Sequence, residues 1–179
     1  MNGLLALSRA IDALNKALAR VADAAVVFSV LISAANAMVR YAFDISSNAW
    51  LEIQWYLFAV MVLLGASYTL RMNEHVRVDI LYTQLSERNK LWLDILGTVF
   101  FLIPSMLVAA WFAWPFFMQS WNVQETSMNA GGLIRWPVKL LLPVGFTLVA
   151  LQGASEIIKR VAALRGDAGF QAAYERPVQ

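Results

Sequence analysis

Long uncharged runs separated by short polar joints set the pattern of this chain. From Ile53 to Leu70 no charged residue occurs, and as a helix rising about 1.5 Å per residue this run covers about 27 Å, close to the hydrocarbon thickness of a bilayer. Trp50 and Glu52 open it, and the polar stretch from Arg71 to Asp79 closes it. Three more runs repeat the plan. One spans 22–39, with Asp23 at its start and Arg40 after its end. Another spans 91–118, uncharged from Ile95 onward, and the last spans 136–158, with Lys139 and Glu156 near its ends. With 53–70, these predict four transmembrane helices and an all-α integral membrane protein.

The pattern also predicts what lies between and beyond the spans. In residues 1–21, Leu4, Leu7, Ile11, Leu14, Leu18 and Val21 recur at spacings of three and four, with Arg9, Asp12, Lys16 and Arg20 off that stripe. An amphipathic interfacial helix is expected there, or a docking face for a partner helix. Ala35-Asn36-Ala37 resembles a signal-peptidase site, but the long, partly acidic stretch ahead of it favours a retained span. The uncharged part of 91–118 would reach about 36 Å, so tilt or kinking is expected, at Pro104 and Pro115. Residues 159–179 read as a polar tail.

Composition strengthens this picture: 60% of the 179 residues are hydrophobic and 15% charged, against about a quarter charged in an ordinary soluble domain. Four spans put both termini on one side. That side, with the 71–90 loop, has Arg9, Lys16, Arg20, Arg71, Arg77, Arg88, Lys90, Lys159, Arg160, Arg165 and Arg176. The other side has Arg40, Arg135 and Lys139. The positive-inside rule therefore predicts cytoplasmic termini.

Candidate chemistry is sparse. The chain has no cysteine and one histidine, which removes thiol nucleophiles, disulfides, thiolate metal sites and bis-histidine haem ligation. Asp23, Glu52, Asp94, Lys139 and Glu156 sit near span ends, where head groups and water can solvate them, so no proton relay or ion path is expected within the chain. Arg71, His75 and Asp79 are spaced by four, which on a helix makes one face and a charge cluster, read as a structural cap. Gly65-Ala66-Ser67 is a small-residue patch where another helix could approach, as is the surroundings of Gly97. The loop with Glu125, Ser127 and the Gly131-Gly132 turn is read as a linker or as a contact for a soluble partner.

Several pieces together resemble the small membrane subunit, the DctQ type, of tripartite ATP-independent periplasmic (TRAP) transporters. They are Arg40-Tyr41, Trp50-x-Glu52, Gly65-Ala66, His75-Val-Arg-Val-Asp79, Glu125-x-Ser127, Gly132-Leu133, Trp136-Pro137-Val138-Lys139 and Leu142-Pro143-x-Gly145, spread over about residues 20–160. Many relatives have a second acid after the one matching Glu52, where this chain has Ile53.

The resemblance implies a non-enzymatic subunit in a bacterial inner membrane. Its partners would be the large DctM-type membrane subunit, a periplasmic substrate-binding protein and membrane lipids, with no nucleic acid. No cofactor is expected in this chain; substrate and sodium sites are implied for the large, elevator-type subunit. The structural or interface candidates are Arg40, Trp50, Glu52, Gly65, His75, Asp79, Glu125, Ser127, Trp136 and Lys139. The competing reading is a stand-alone small four-helix transporter or a membrane enzyme, working as a homo-oligomer.

Overall fold

The computed structural model of the chain describes residues 2–45, 47–73, 82 and 84–166. Among these, four helices are long and apolar enough to cross a membrane: α1 (Asn2–Phe43), α2 (Asn48–Met72), α3 (Glu87–Asn122) and α4 (Trp136–Leu164). The described residues contain no strand, only a lone antiparallel bridge between Thr126 and Ile134. Each expected span lies inside one of these helices.

Local chemistry sets the helix ends. Asn73 adopts a left-handed conformation (φ 61°), and its N–H closes α2 by donating to the Leu70 carbonyl at 3.2 Å. Ser86 caps α3, its hydroxyl accepting from the Asn89 N–H, with Glu87 in the first turn where the helix dipole favours an acid. Pro137 occupies the first turn of α4, where its missing N–H costs little.

Helix α3 is not regular throughout. Thr98–Leu102 forms a π-helical turn directly ahead of Pro104. Proline has no N–H to offer the carbonyl four residues back and its ring crowds that carbonyl, so a widened turn before it relieves the clash. Pro115 in α3 and Pro143 in α4 sit inside helices that continue past them.

Helix α1 is a single helix of 42 residues. The stretch 1–21 and the first span are therefore one continuous element, with no glycine or proline at the Val21–Ala22 junction to break it. Its inward stripe is small and polar: Ser8, Asn15, Ala19, Ala22 and Ala25 are buried. Of the apolar stripe, Leu4, Leu7, Leu14 and Val21 face outward, about half exposed, while Leu18 packs on the core. This polarity, small and polar inside with apolar outside, suits helices that meet in a medium as apolar as leucine.

Helix α4 is the hub, packing against α1, α2 and α3, while α1 also packs along α2. In its most apolar window 39% of residues are buried, against 6% for α3, which leaves most of α3 on the outer surface. Two glycines let neighbours approach α4 closely. A Cβ at Gly145 would lie 2.8 Å from the Leu63 Cβ and 2.9 Å from its carbonyl oxygen. A Cβ at Gly153 would lie 2.7 Å from Leu102 Cδ2, against the π-helical turn. Gly65 faces Ala22 of α1 at ordinary contact distance, 3.7 Å, whereas Gly97 has nothing within 4 Å. Ala22, Leu64 and Leu148 join α1, α2 and α4 in a small core.

Candidate functional site

Polar side chains gather at the two ends of the bundle. At the end holding the 123–135 loop, α2 presents Asn48, Glu52 and Tyr56 at intervals of four, on one face of the helix. All three hold the loop. Asn48 Nδ2 donates to the Ala130 carbonyl at 3.2 Å, and the Tyr56 hydroxyl to the Ile134 carbonyl at 2.9 Å. The Glu52 carboxylate accepts from the Ser127 hydroxyl, from Asn129 Nδ2 at 2.8 Å and from the Leu133 N–H at 2.7 Å. Its acceptor sites are thus occupied by donors from a single loop.

The loop itself is hairpin-like. Ser127 N–H donates to the Leu133 carbonyl at 2.9 Å, and Arg135 N–H to the Glu125 carbonyl at 2.8 Å. Gly131 takes a positive φ of 70°. A Cβ at Gly132 would sit 2.4 Å from the Ser127 Cβ, so the Gly-Gly turn is dictated by the close approach of the two strands of the loop. At its base Trp121 and Trp136 meet edge to face, centroids 4.6 Å apart. Glu125 pairs with Lys139, whose ammonium also lies 4.0 Å over the Phe116 ring, and with Arg135 at 3.7 Å. The Lys139 ammonium hydrogen-bonded to it holds the Glu125 carboxyl below its ordinary range.

Beneath this loop a groove of ≈ 500 Å³ runs between α2 and α4, with Glu52, Arg135 and Lys139 at its mouth. Leu51, Trp55, Ala59, Leu63, Val138 and Leu142 line it further in.

At the opposite end a polar seam joins α1, α2, α3 and α4. Ser8 and Ser155 hydroxyls lie 2.7 Å apart, which also shows that the first turns of α1 and the last turns of α4 share this end. Asn15 Nδ2 donates to Gln152 Oε1 at 2.6 Å and accepts at Oδ1 from Ser67 at 3.0 Å. Asp12 is held by Lys159 at 2.8 Å and Arg71 at 3.4 Å, and Glu156 by Lys159 at 2.6 Å and Arg160 at 2.8 Å. Arg160 also pairs with Asp94 of α3 at 3.1 Å. Among the described residues three acids face three bases, and the arrangement is that of a joint, each charge meeting an opposite one.

A family model for tripartite ATP-independent periplasmic transporters, DctQ component, matches residues 29–163. The chain belongs to this family. It is a multi-pass membrane protein and a component of a transporter. No curated protein and no solved structure matches the chain.

Within this DctQ component the residues expected to matter fall in different places. Glu52, Glu125, Ser127, Trp136 and Lys139 converge on the loop end. Trp50 lies half-exposed in the first turn of α2, and Arg40 is exposed near the end of α1, its carbonyl accepting from the Asp44 N–H. Gly65 faces α1. His75 and Asp79 lie outside the described residues. Sequence reasoning missed the polar seam, although Gln152, Ser155, Glu156 and Lys159 recur at helical spacing, as do Ser8, Asp12 and Asn15. The DctQ match begins at residue 29, so Ser8, Asp12 and Asn15 precede it while their α4 partners lie inside it.

Proposed function

We propose that this chain is the static membrane scaffold of a TRAP transporter. It stands beside a large DctM-type subunit that moves the solute, an organic acid or similar small molecule delivered by a periplasmic binding protein. Ion coupling, with sodium, belongs to the large subunit, and this chain catalyses no reaction. It sits in the bacterial inner membrane with both termini cytoplasmic, in keeping with the eleven-to-three distribution of Lys and Arg between the two sides named above. The observation that carries the reading is the DctQ match across residues 29–163, which covers α1 from Ser29 to its end, all of α2 and α3, and α4 up to Ala163.

The geometry supports a passive, anchoring part. A domain that slides through a bilayer needs a partner that stays put, and lipid-embedded helices with aromatic residues at the interface resist displacement. Helix α3 offers a broad apolar outer surface, with Phe101, Trp111 and Phe112 along its length each more than 70% exposed. Removing this chain while its large partner remains in the membrane is expected to abolish uptake of the solute that the binding protein captures. Undiminished uptake would overturn the proposal.

A further inference from the structure

The groove between α2 and α4 combines an apolar trough with a charged mouth at one end only, the shape of a site for an amphiphile. Its rim is open sideways: Leu51, Trp55 and Phe116 are 43%, 76% and 46% exposed, on the flank of helices that cross the membrane. At the mouth, one cation is held closely and the other loosely. Lys139 is covered by Glu125 and the Phe116 ring. The Arg135 guanidinium has five donors. It pairs with Glu125 at 3.7 Å and makes no hydrogen bond to another described residue, with its side chain 43% exposed. Glu125 is held chiefly by Lys139 and Glu52 by three loop donors, so Arg135, loosely paired at 3.7 Å, keeps hydrogen-bond donors open to an anionic acceptor.

Length and charge select what enters. The α2 wall from Asn48 to Leu63 is about 22 Å of helix, apolar below a single charged mouth. That is about the depth of one membrane leaflet with its head-group region, roughly 20–22 Å. The trough therefore suits an extended hydrocarbon chain with its polar head at the mouth. We infer that this groove holds one membrane phospholipid, its phosphate on Arg135 and one acyl chain laid between α2 and α4. Trp55 at the rim marks the level of the interface, where head groups lie. The site needs only the membrane location of the chain, so its failure leaves the transporter reading untouched, and the reverse holds.

The test is native mass spectrometry of the full chain, equilibrated with mixed phosphatidylethanolamine and phosphatidylglycerol and then washed stepwise in detergent. Wild type is expected to retain one phospholipid. Arg135→Ala removes the phosphate contact, and Ala59→Trp fills the trough without touching the mouth. Each is expected to lower retention about tenfold or more. Protease resistance of the 123–135 loop reports that the loop end stays folded in Arg135→Ala, and Ala59→Trp keeps the test valid if it does not. Retention unchanged in both variants would overturn the assignment. So would cross-linking of a benzophenone at position 59 to a polypeptide rather than a lipid in native membranes.

Discussion

At Glu52 one carboxylate meets a hydroxyl, an amide and a backbone N–H from the same loop, so its charge is what keeps that loop in place. Glu52→Gln keeps the shape but removes the charge and turns one acceptor into a donor facing donors. Protease cleavage within 123–135, in membranes, is expected to speed several-fold; cleavage at the wild-type rate would contradict this role. Glu125 makes a pH prediction. Its folded-state pKa is depressed by the Lys139 hydrogen bond, so the contribution of the pair is complete above the ordinary value of 4.5 and is lost as pH falls through the lowered one. Resistance of the 123–135 loop to an acid-active protease should accordingly hold steady through neutral pH and fall only on acidification below about 4.5. Glu52, Glu125 and Ser127 could be named from sequence because they sit in recognisable short motifs. That Glu52 meets Ser127 and Leu133 could not, because 75 and 81 residues separate them in the chain.

At the scale of elements, hydropathy runs gave the helices, because a span must satisfy its backbone internally and be apolar for its whole length. Their ends extended further than the apolar runs, since helix continues into charged flanks such as Glu87–Lys90, where water and head groups solvate it. Which small residues form seams was less legible. Gly65-Ala66-Ser67 and Gly97 stood out as small patches, yet the close approaches between helices are at Gly145 and Gly153, where a neighbouring side chain fills the space a Cβ would take. Gly145→Ala is expected to cost about 1–3 kcal/mol by overpacking against Leu63. Gly97→Ala, with open space around it, is expected to be neutral or to gain up to about 1 kcal/mol of helix propensity. Thermal unfolding of the two variants in detergent decides this; equal losses would mean that the α2–α4 seam is not tight.

Across the whole molecule, α4 binds the other helices through a charge-paired polar seam at one end and a loop clamp at the other. The seam escaped sequence reading because each charge, taken alone near a span end, looks solvated. Only the packing of α1 beside α4 brings Asp12 to Lys159. Lys159→Met removes the shared partner of Asp12 and Glu156, which keep Arg71 and Arg160, and is expected to cost about 1.5–3 kcal/mol, seen as a lowered unfolding midpoint. Orientation is open to a direct test, since the chain is free of cysteine. A single cysteine at Met128 should react with an impermeant maleimide from the periplasmic side and one at Arg9 should not; the reverse pattern would invert the assigned topology.

The central claim, a scaffold that works as part of a larger transporter, is tested most directly by purifying the tagged chain from its native membranes in mild detergent. Mass spectrometry then identifies and counts what comes with it. The account predicts a large multi-span membrane subunit in equal amount. Recovery of this chain alone, as a stable homo-oligomer, would contradict it.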